Sequence, residues 1–282
     1  MADRHSPGVR RRRLSAALRA LRADSGRTAA EVAAQLSWSA GKLTRIERNE
    51  WRRPSARDVG ALLDAYGVDG DERAHLLGLV QESRDRSEWR AYQDLFWGPL
   101  PEFEAEAVRI RTYGALVVPG LLQTPEYAAA VFRGGQIMPD GEIASKVEAR
   151  MARRRVLDAP DGPPLHALID EAALWKAAGS VEVMVEQLRY LAGMAAHYNV
   201  TILVVPNSAG VHPAVTGAFS LIDFPHPEPG IVTLSNAVGS LYVEDPAYVA
   251  RYTLVYDYVQ GVALSPTDSL ALISRIAEEL SK

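Results

Sequence analysis

The chain has 282 residues, a formal net charge of −4 at pH 7 and no cysteine, so it can hold two domains but no disulfide, thiolate metal site or cysteine nucleophile. No stretch approaches the roughly 20 apolar residues of a membrane span, and the N-terminus is polar and Arg-rich, without the apolar core of a secretion signal. We therefore expect a soluble, cytoplasmic protein with no membrane partner.

The first predicted helix carries an apolar stripe. Leu14, Leu18 and Leu21 fall at i, i+4 and i+7, which places them on one face. Gly26 follows the helix and can take the left-handed conformation that ends it. A basic run, Arg10 to Arg13, precedes the stripe. This run is either a flexible arm or a solvated basic tail.

Capping chemistry marks the next two helices. Thr28 and Glu31 form a capping box, in which each side chain satisfies a backbone N–H group at a new N-terminus. Ser39 can cap a third helix that carries Leu43 and Ile46 inward. Two short helices on a tight turn are typical of a helix-turn-helix. A fourth helix follows, with Ser55 and Asp58 at its start, Val59, Leu62, Leu63 and Tyr66 on its inner face, and Gly67 at its end.

In a helix-turn-helix the second helix of the motif, here the third of the chain, lies in the major groove. Arg45 is the best candidate for reading a guanine, because its guanidinium can donate two hydrogen bonds to O6 and N7. Ala40 and Gly41 allow close approach, since they have almost no side chain. Lys42, Arg48, Thr28 and Ser39 are better placed for phosphates. The expected DNA-binding residues are Arg11, Arg12, Arg13, Thr28, Ser39, Ala40, Gly41, Lys42, Thr44, Arg45 and Arg48.

The charge is distributed unevenly along the chain. Residues 1–57 hold 14 Lys or Arg against 5 Asp or Glu, whereas residues 58–282 hold 17 against 30. The basic charge therefore lies where the helix-turn-helix pattern lies, although the whole chain is acidic. The alternative, a helical protein-interaction module, does not need this asymmetry. The N-terminal region is thus predicted to bind double-stranded DNA.

Two segments, Thr28–Ala33 and Lys42–Glu47, carry a family resemblance. Through them residues 14–66 resemble the xenobiotic-response-element (lambda-repressor-like) family of helix-turn-helix regulators. Such domains usually place Gly two residues after that last Glu; here the position is Asn49, which tolerates left-handed backbone better than most residues. The first residue of the second helix, often a glutamine that helps to position a base contact, is Ala29. The resemblance implies a DNA-binding regulator without transferring a detailed recognition code.

A further helix is predicted from about Asp71 to Tyr92. Its first half carries several leucines and its second half, residues 81–90, is highly charged, which favours a solvated connector. The segment Phe96–Pro101 breaks the pattern and opens a second domain. The expected organisation is a helix-turn-helix DNA-binding domain over 1–70, a helical connector over 71–94 and an α+β sensing or partner-binding domain over 95–282.

Helical and extended patterns alternate in the second domain. Helices are expected over 125–132, 140–157, 181–197, 246–262 and 266–280, and strands over 165–169, 200–205, 218–224, 231–235 and 239–243. The first two strands, with the helix between them, can form a parallel βαβ crossover. The three later strands suit an antiparallel meander. The predicted fold is an all-α N-terminal helix-turn-helix domain followed by an α+β domain with a mixed sheet.

A second resemblance covers about residues 100 to 280. It rests on Pro119–Ala128, an Arg-rich helix around Arg150, Asp170–Leu174, Gln187-Leu188, Val204–Pro206, Gly210–Pro213 and Ala263–Pro266. These segments are similar to the C-terminal domain of unknown function in a large group of actinomycete helix-turn-helix regulators, often described as antitoxin-like. The resemblance implies a regulator whose second domain binds a small protein or a metabolite.

Catalytic and ligand sites in the second domain are the alternative. His166, Asp170 and Glu171 lie close in sequence, and His212, Asp223 and His226 are candidates for a metal site. Neither set has the i, i+4 His pair that makes such a prediction specific. The aromatic cluster Trp89, Tyr92, Phe96 and Trp97 either lines a ligand site or packs between the domains. We expect no enzyme activity, no cofactor and no metal.

The predicted function is a sequence-specific transcriptional regulator, associated with the nucleoid, that binds an inverted-repeat operator as a homodimer contacting through the second domain. The alternatives are an autoregulated antitoxin-like protein that neutralises a partner, and an enzyme-regulator fusion. Arg150, Arg153 and Arg154 share one helix face. Their counter-charge comes either from internal residues such as Glu148 and Asp158 or from a small acidic partner protein or metabolite.

Overall fold

The structure, a computed structural model, describes residues 7–51, 54–82, 99–135, 139–225, 228–236 and 239–282. The chain forms two compact units, Met1–Ala91 and Tyr92–Lys282. The described part of the first unit is helical, and the second contains a six-stranded mixed sheet. The predicted fold class is therefore confirmed, whereas the boundaries at residues 70 and 94 stay a prediction.

The first unit packs around the apolar faces of its helices. The helices are α1 (Pro7–Asp24), α2 (Ala29–Gln35), α3 (Ala40–Glu47), α4 (Ala56–Tyr66) and α5 (Gly70–Glu82). Leu14, Leu18, Val32, Leu43 and Leu62 are completely buried in one cluster. Each such side chain contributes roughly 1.5–3 kcal/mol by leaving water, so this cluster fixes how the short helices pack.

Helix α5 belongs to the core of the first unit. Leu76, Leu79 and Val80 are at most 5% exposed and lie in the same cluster as Leu14. The Arg73 guanidinium also pairs with the Asp64 carboxylate of α4 at 2.8 Å. The apolar half of the predicted connector therefore packs onto the helix-turn-helix. Its charged half, from residue 83, and the cluster Trp89, Tyr92, Phe96 and Trp97 lie outside the described residues.

The second unit is built on one sheet with the strand order β3-β2-β1-β4-β5-β6. Its strands are β1 (Arg109–Gly114), β2 (Leu165–Asp170), β3 (Val200–Val205), β4 (Phe219–Asp223), β5 (Ile231–Asn236) and β6 (Gly239–Val243). Strand β2 pairs in parallel with β1 and β3, whereas β4 is antiparallel to both β1 and β5, and β5 is antiparallel to β6. The predicted βαβ crossover and the predicted meander are both confirmed.

Helices cover both faces of the sheet. They are α6 (Leu100–Ala105), α7 (Pro125–Gly135), α8 (Asp140–Arg154), α9 (Glu171–Trp175), α10 (Val181–Met194), α11 (Pro246–Val262) and α12 (Pro266–Leu280). Side chains alternate along β2: Leu165 and Ile169 join the cluster that holds α10 and α12, whereas Leu168 joins the cluster that holds α11. The sheet is thus the middle of three layers.

The sequence patterns did not predict β1, although it is a central strand. Three of its first four side chains are polar, and Arg111 and Thr112 are each only 7% exposed. Arg111 is compensated by the Asp223 carboxylate at 3.0 Å on the neighbouring strand β4. A strand whose buried charge has its partner 112 residues away gives no local signal of burial.

Candidate nucleic-acid interface

Caps and turns encoded locally hold α2 and α3 in place. The Thr28 hydroxyl accepts from the Glu31 N–H (3.2 Å), and the Glu31 carboxylate accepts from the Thr28 N–H (2.8 Å) and has its pKa lowered by these bonds. The predicted capping box is confirmed. The turn before α3 passes through Ser37 at φ +56°, and the turn after it passes through Asn49 at φ +57°. Asn49 therefore takes the left-handed conformation that the sequence predicts for it.

Helix α3 has one buried and one exposed face. Leu43 and Ile46 are at most 3% exposed and lie in the core of the first unit. Gly41, Arg45 and Arg48 are exposed. A Cβ atom placed on Gly41 would meet no heavy atom within 4 Å, so packing inside the protein does not require glycine there. This is the presentation that a recognition helix needs.

The half-buried Lys42 side chain already has partners within the protein. Its Nζ lies 2.8 Å from the Asp58 carboxylate of α4 and 3.9 Å from the centroid of the Trp38 ring. The sequence analysis placed Lys42 against phosphate, whereas the structure gives it an internal partner. A phosphate contact therefore requires Lys42 to leave or share Asp58, which Arg45 and Arg48 do not have to do.

The other predicted contact residues lie at helix starts and on the side of α3. Thr28 and Ser39 are the exposed N-cap residues of α2 and α3, Ala40 opens α3, and Thr44 is half-buried. The Ser39 side chain makes no cap hydrogen bond, contrary to the role that its position suggests. The first turn of α3 also holds no acidic residue.

A side-on ion pair fixes the end of α3 to α1. The Arg22 guanidinium donates to both carboxylate oxygens of Glu47, at 2.6 and 3.1 Å, and also to the Arg27 carbonyl at 2.8 Å. Hydrogen bonding to Glu47 raises the pKa of Arg22. The sequence analysis missed this pair. The only sequence feature that pointed to Glu47 is its place at the end of Lys42–Glu47, the second segment that carries the family resemblance.

The basic run Arg10–Arg13 lies within α1, so both interpretations of it, as flexible arm or solvated tail, are wrong. Helix α1 begins at Pro7, and the side chains of Arg10 and Arg12 are only 4% and 3% exposed. The Arg11 Nε donates to the Asn49 Oδ1 at 3.0 Å, which connects α1 to the turn after α3. DNA contact by Arg11, Arg12 and Arg13 stays a prediction.

In the second unit the segment Pro119–Ala128 forms a buried polar network. The Gln123 Nε2 donates to the Val118 carbonyl at 2.7 Å, and the Gln123 Oε1 accepts from the Arg150 guanidinium at 2.6 Å. The Arg154 guanidinium donates to the Gln123 carbonyl at 3.2 Å. Gln123 itself is 1% exposed, so its hydrogen bonds have to be made within the protein.

Gln187 closes the same network from α10. It is completely buried; its Oε1 accepts from the Thr124 N–H at 2.8 Å and its Nε2 donates to the Leu122 carbonyl at 2.7 Å. The Tyr127 hydroxyl accepts from the Val118 N–H at 3.2 Å. These polar residues of the second resemblance therefore satisfy backbone groups inside the unit.

The predicted partner face of Arg150, Arg153 and Arg154 is also paired internally. The Arg153 guanidinium lies 2.6 Å from the carboxylate of Glu104, whose side chain is 5% exposed. Burial raises the pKa of Glu104 to about 7 and lowers the pKa of Arg150 to about 9. Arg150 also stacks over the Phe132 ring at 4.2 Å. The structure shows the internal alternative for Arg153, with the Glu104 carboxylate as its counter-charge.

Comparison with known protein families agrees with this division into two units. A family model described as a domain of unknown function (DUF5753) matches residues 97–275. The chain belongs to that family. A second model, described as a helix-turn-helix domain, matches residues 13–76, which is the region of α1 to α5. No curated protein and no solved structure matches the chain. The helix-turn-helix match indicates a DNA-binding transcription regulator rather than an enzyme.

The DUF5753 domain has a polar cluster at the carboxyl ends of its parallel strands. The Tyr113 hydroxyl donates to the Asp170 carboxylate at 3.0 Å, and the His212 Nε2 lies 3.6 Å from the same oxygen. Burial and the Asp170 charge raise the pKa of Tyr113. The other Asp170 oxygen caps α9 by accepting from the Ala172 N–H at 3.0 Å. The cluster contains a half-buried acid and a buried histidine at the edge where open α/β sheets bind ligands.

The two predicted catalytic sets are not assembled in the described residues. Asp223 pairs with Arg109 and Arg111 at 2.8 and 3.0 Å, and His226 lies outside the described residues. Glu171 accepts from the Asn207 N–H at 2.8 Å. Within the described ranges no three His, Cys, Asp or Glu side chains converge as metal ligands, and no helix there has the length and apolarity to cross a membrane.

Proposed function

We propose that this protein is a sequence-specific DNA-binding transcriptional regulator of the lambda-repressor-like type, with α3 as its recognition helix. The observation that carries the proposal is the two-sided burial of α3. Leu43, Ile46 and Glu47 anchor it inward, whereas Gly41, Arg45 and Arg48 face outward. The basic first 57 residues supply the electrostatic attraction that phosphate binding needs.

The roles of individual residues follow from their exposure. Arg45, free of any ion pair among the described residues and long enough to reach a base edge, reads guanine. Gly41 lets the start of α3 approach the groove closely. Arg48, Thr28 and Ser39 contact phosphates, and Lys42 also contacts a phosphate once its ion pair with Asp58 is broken. Arg11, Arg13, Ala40 and Thr44 complete the proposed contact surface, whereas Arg12, which is 3% exposed, lies outside it.

Selection from a random oligonucleotide pool tests the role of Arg45. Arg45→Ala should cost roughly 1–3 kcal/mol on the preferred sequence and relax the preference at one base pair. Arg48→Ala, the matched control on the same helix, should weaken all sequences alike and lower the salt slope by about 0.9. An unchanged motif with Arg45→Ala would remove this residue from base readout.

We propose further that two copies bind an inverted repeat. One domain of this size offers few base contacts. A dimer can combine the base contacts of two domains when the two half-sites lie one DNA turn apart, roughly 34–36 Å. Native mass spectrometry on the selected operator measures the stoichiometry. One chain per full operator, at saturation, would contradict this part of the proposal and leave DNA binding intact.

The third part of the proposal is that the DUF5753 domain controls DNA affinity by binding an acidic partner protein or a metabolite. The cluster of Tyr113, Asp170 and His212 supports it better than the internally paired Arg150, Arg153 and Arg154 do. An effector that alters DNA affinity must itself bind with an affinity altered by DNA, by the same factor. Titrating a candidate effector, starting with the product of a neighbouring gene, with and without operator tests this. A stable complex with that gene product would favour the antitoxin-like alternative.

A further inference from the structure

Helix α11 is apolar on its outer as well as its inner face. Its inner face carries Tyr256 and Val259, which are at most 1% exposed and pack in the cluster on the sheet. Its outer face carries Leu254 and Tyr258, which are 64% and 56% exposed. Large apolar side chains left exposed together on one helix face mark an interaction surface, so the outer face of α11 is a candidate contact surface.

The residues of this outer face are arranged symmetrically about Leu254. Arg251 and Asp257 stand three positions before and after it, and Ala247 and Gly261 stand seven positions before and after it. At 100° per residue all four lie within about 60° of Leu254 around the helix axis. All are exposed, so the helix presents opposite charges at equal distances, about 4.5 Å of axial rise, from one central leucine.

This pattern matches itself when a second α11 is laid against it antiparallel. A two-fold axis brings each position opposite the position equally far on the other side of the centre. Leu254 then lies against Leu254 of the other copy, and Ala247 lies near Gly261, whose small size lets the helices approach. Arg251 and Asp257 of the two copies stand at the same axial level on opposite sides of the seam, and the long Arg251 side chain can reach across it. We infer that the outer face of α11 binds the same face of a second copy of this chain and is the dimer contact of the regulator, an inference that rests on the homodimer proposed above.

The charges of this face favour a second copy over an unrelated partner. Arg251 makes no ion pair or hydrogen bond within the described part of the chain, and Asp257 has only a long contact of 4.0 Å with the Arg111 guanidinium. Each copy therefore carries one cation and one anion on this face. In a symmetric dimer the cation of each copy pairs with the anion of the other, which gives two ion pairs. A partner of a different sequence would match this reciprocal order only by coincidence.

The size of the face predicts a modest affinity. Helix α11 has 17 residues and is about 25 Å long, so its face covers about half of the roughly 800 Å² per partner in a standard interface. The dimer should therefore be weak in solution and strengthened on an operator that holds both copies.

Charge reversal tests the pairing in the full-length protein. Arg251→Asp and Asp257→Arg each turn two attractions into two repulsions, so each variant should have a dimer dissociation constant at least about tenfold higher than wild type. Mixing the two variants restores both pairs in a heterodimer, as does the double variant. Arg275→Asp, an exposed reversal on α12, is the matched control and should behave as wild type. Analytical ultracentrifugation measures the masses.

The outcomes separate this inference from the proposed function. A monomeric wild type, dimeric single variants, or a mixture that does not dimerise would each overturn the inference. Binding to a single selected half-site, followed by fluorescence anisotropy, depends on α3 alone and should be the same for all these variants. Loss of half-site binding in the wild type would contradict DNA recognition, whatever the masses show.

Discussion

Removing the Glu47 carboxylate should loosen α3 without unfolding the second unit. Arg22 and Glu47 form a side-on pair at 2.6 and 3.1 Å, and their side chains are 19% and 8% exposed. In Glu47→Ala the Arg22 guanidinium keeps its bond to the Arg27 carbonyl and loses its counter-charge in a largely dry position. The end of α3 then has one less tether to α1.

The magnitude lies between two limits. Breaking a fully buried pair by removing one partner costs about 3–5 kcal/mol, and an exposed pair is worth about 0–1 kcal/mol. With one partner mostly buried and the other partly exposed, we expect a loss of about 2–3 kcal/mol. That corresponds to roughly a 30- to 150-fold larger population of the locally opened state, since 1.4 kcal/mol is a factor of ten.

Hydrogen–deuterium exchange resolved by peptide measures this loss. Backbone amides of α1 and α3 should lose protection by that factor, whereas peptides from the DUF5753 domain should not change. Glu50→Ala is the control, because it removes the same charge from an exposed position three residues away. Replacing both partners, as Arg22→Met with Glu47→Leu, should restore most of the stability. Unchanged protection in Glu47→Ala, or an equal loss in Glu50→Ala, would refute the reasoning.

Three further predictions concern turns, buried amides and pH. Ser37→Gly should raise the free energy of unfolding by about 0.5–1 kcal/mol, because glycine relieves the left-handed strain at φ +56°; Ser37→Ala is the control that should not, and denaturant melts measure both. Gln187→Leu should cost about 2–4 kcal/mol in the same assay, because the Thr124 N–H and the Leu122 carbonyl lose their buried partner; a loss below about 1 kcal/mol would contradict this role. The fold favours the protonated form of Glu104, so the stabilisation from this proton is complete below about pH 4.5 and is lost as the pH rises to about 7. The melting temperature of the wild type should therefore fall relative to that of Glu104→Gln between these pH values. Parallel melting profiles of the two proteins would contradict the raised pKa of Glu104.

Short-range chemistry made the first unit predictable. The capping box of Thr28 and Glu31, the left-handed Asn49 and the stripe of Leu14 and Leu18 each involve residues within one or two turns of each other. Local preferences of this kind need no knowledge of the rest of the chain. The same is true of the strand and helix order that predicted the crossover and the meander.

Long-range pairing accounts for what the sequence analysis got wrong. It directed Lys42 and the run Arg10–Arg13 at DNA or solvent. For the arginines of α8 it considered a partner or internal counter-charges close in sequence, Glu148 and Asp158. In the structure several of these side chains have partners within the protein: Lys42 pairs with Asp58, Arg11 with Asn49, Arg153 with Glu104 and Arg150 with Gln123. These partners lie 16 to 49 positions away in the chain, so no periodicity or spacing reveals them.

By itself the sequence determined the two-part organisation, the helix-turn-helix, the mixed sheet and the concentration of basic charge on the DNA-binding half. Only the tertiary structure decided which of the basic side chains are exposed: Arg45 and Arg48 on α3 and Arg251 on α11 are, whereas Arg12 and Arg153 are held inside. The physical reason is that helix and strand preferences act between near neighbours. The accessibility of a charge instead depends on whether folding brings an opposite charge, an amide or an aromatic ring to it from a distant part of the chain.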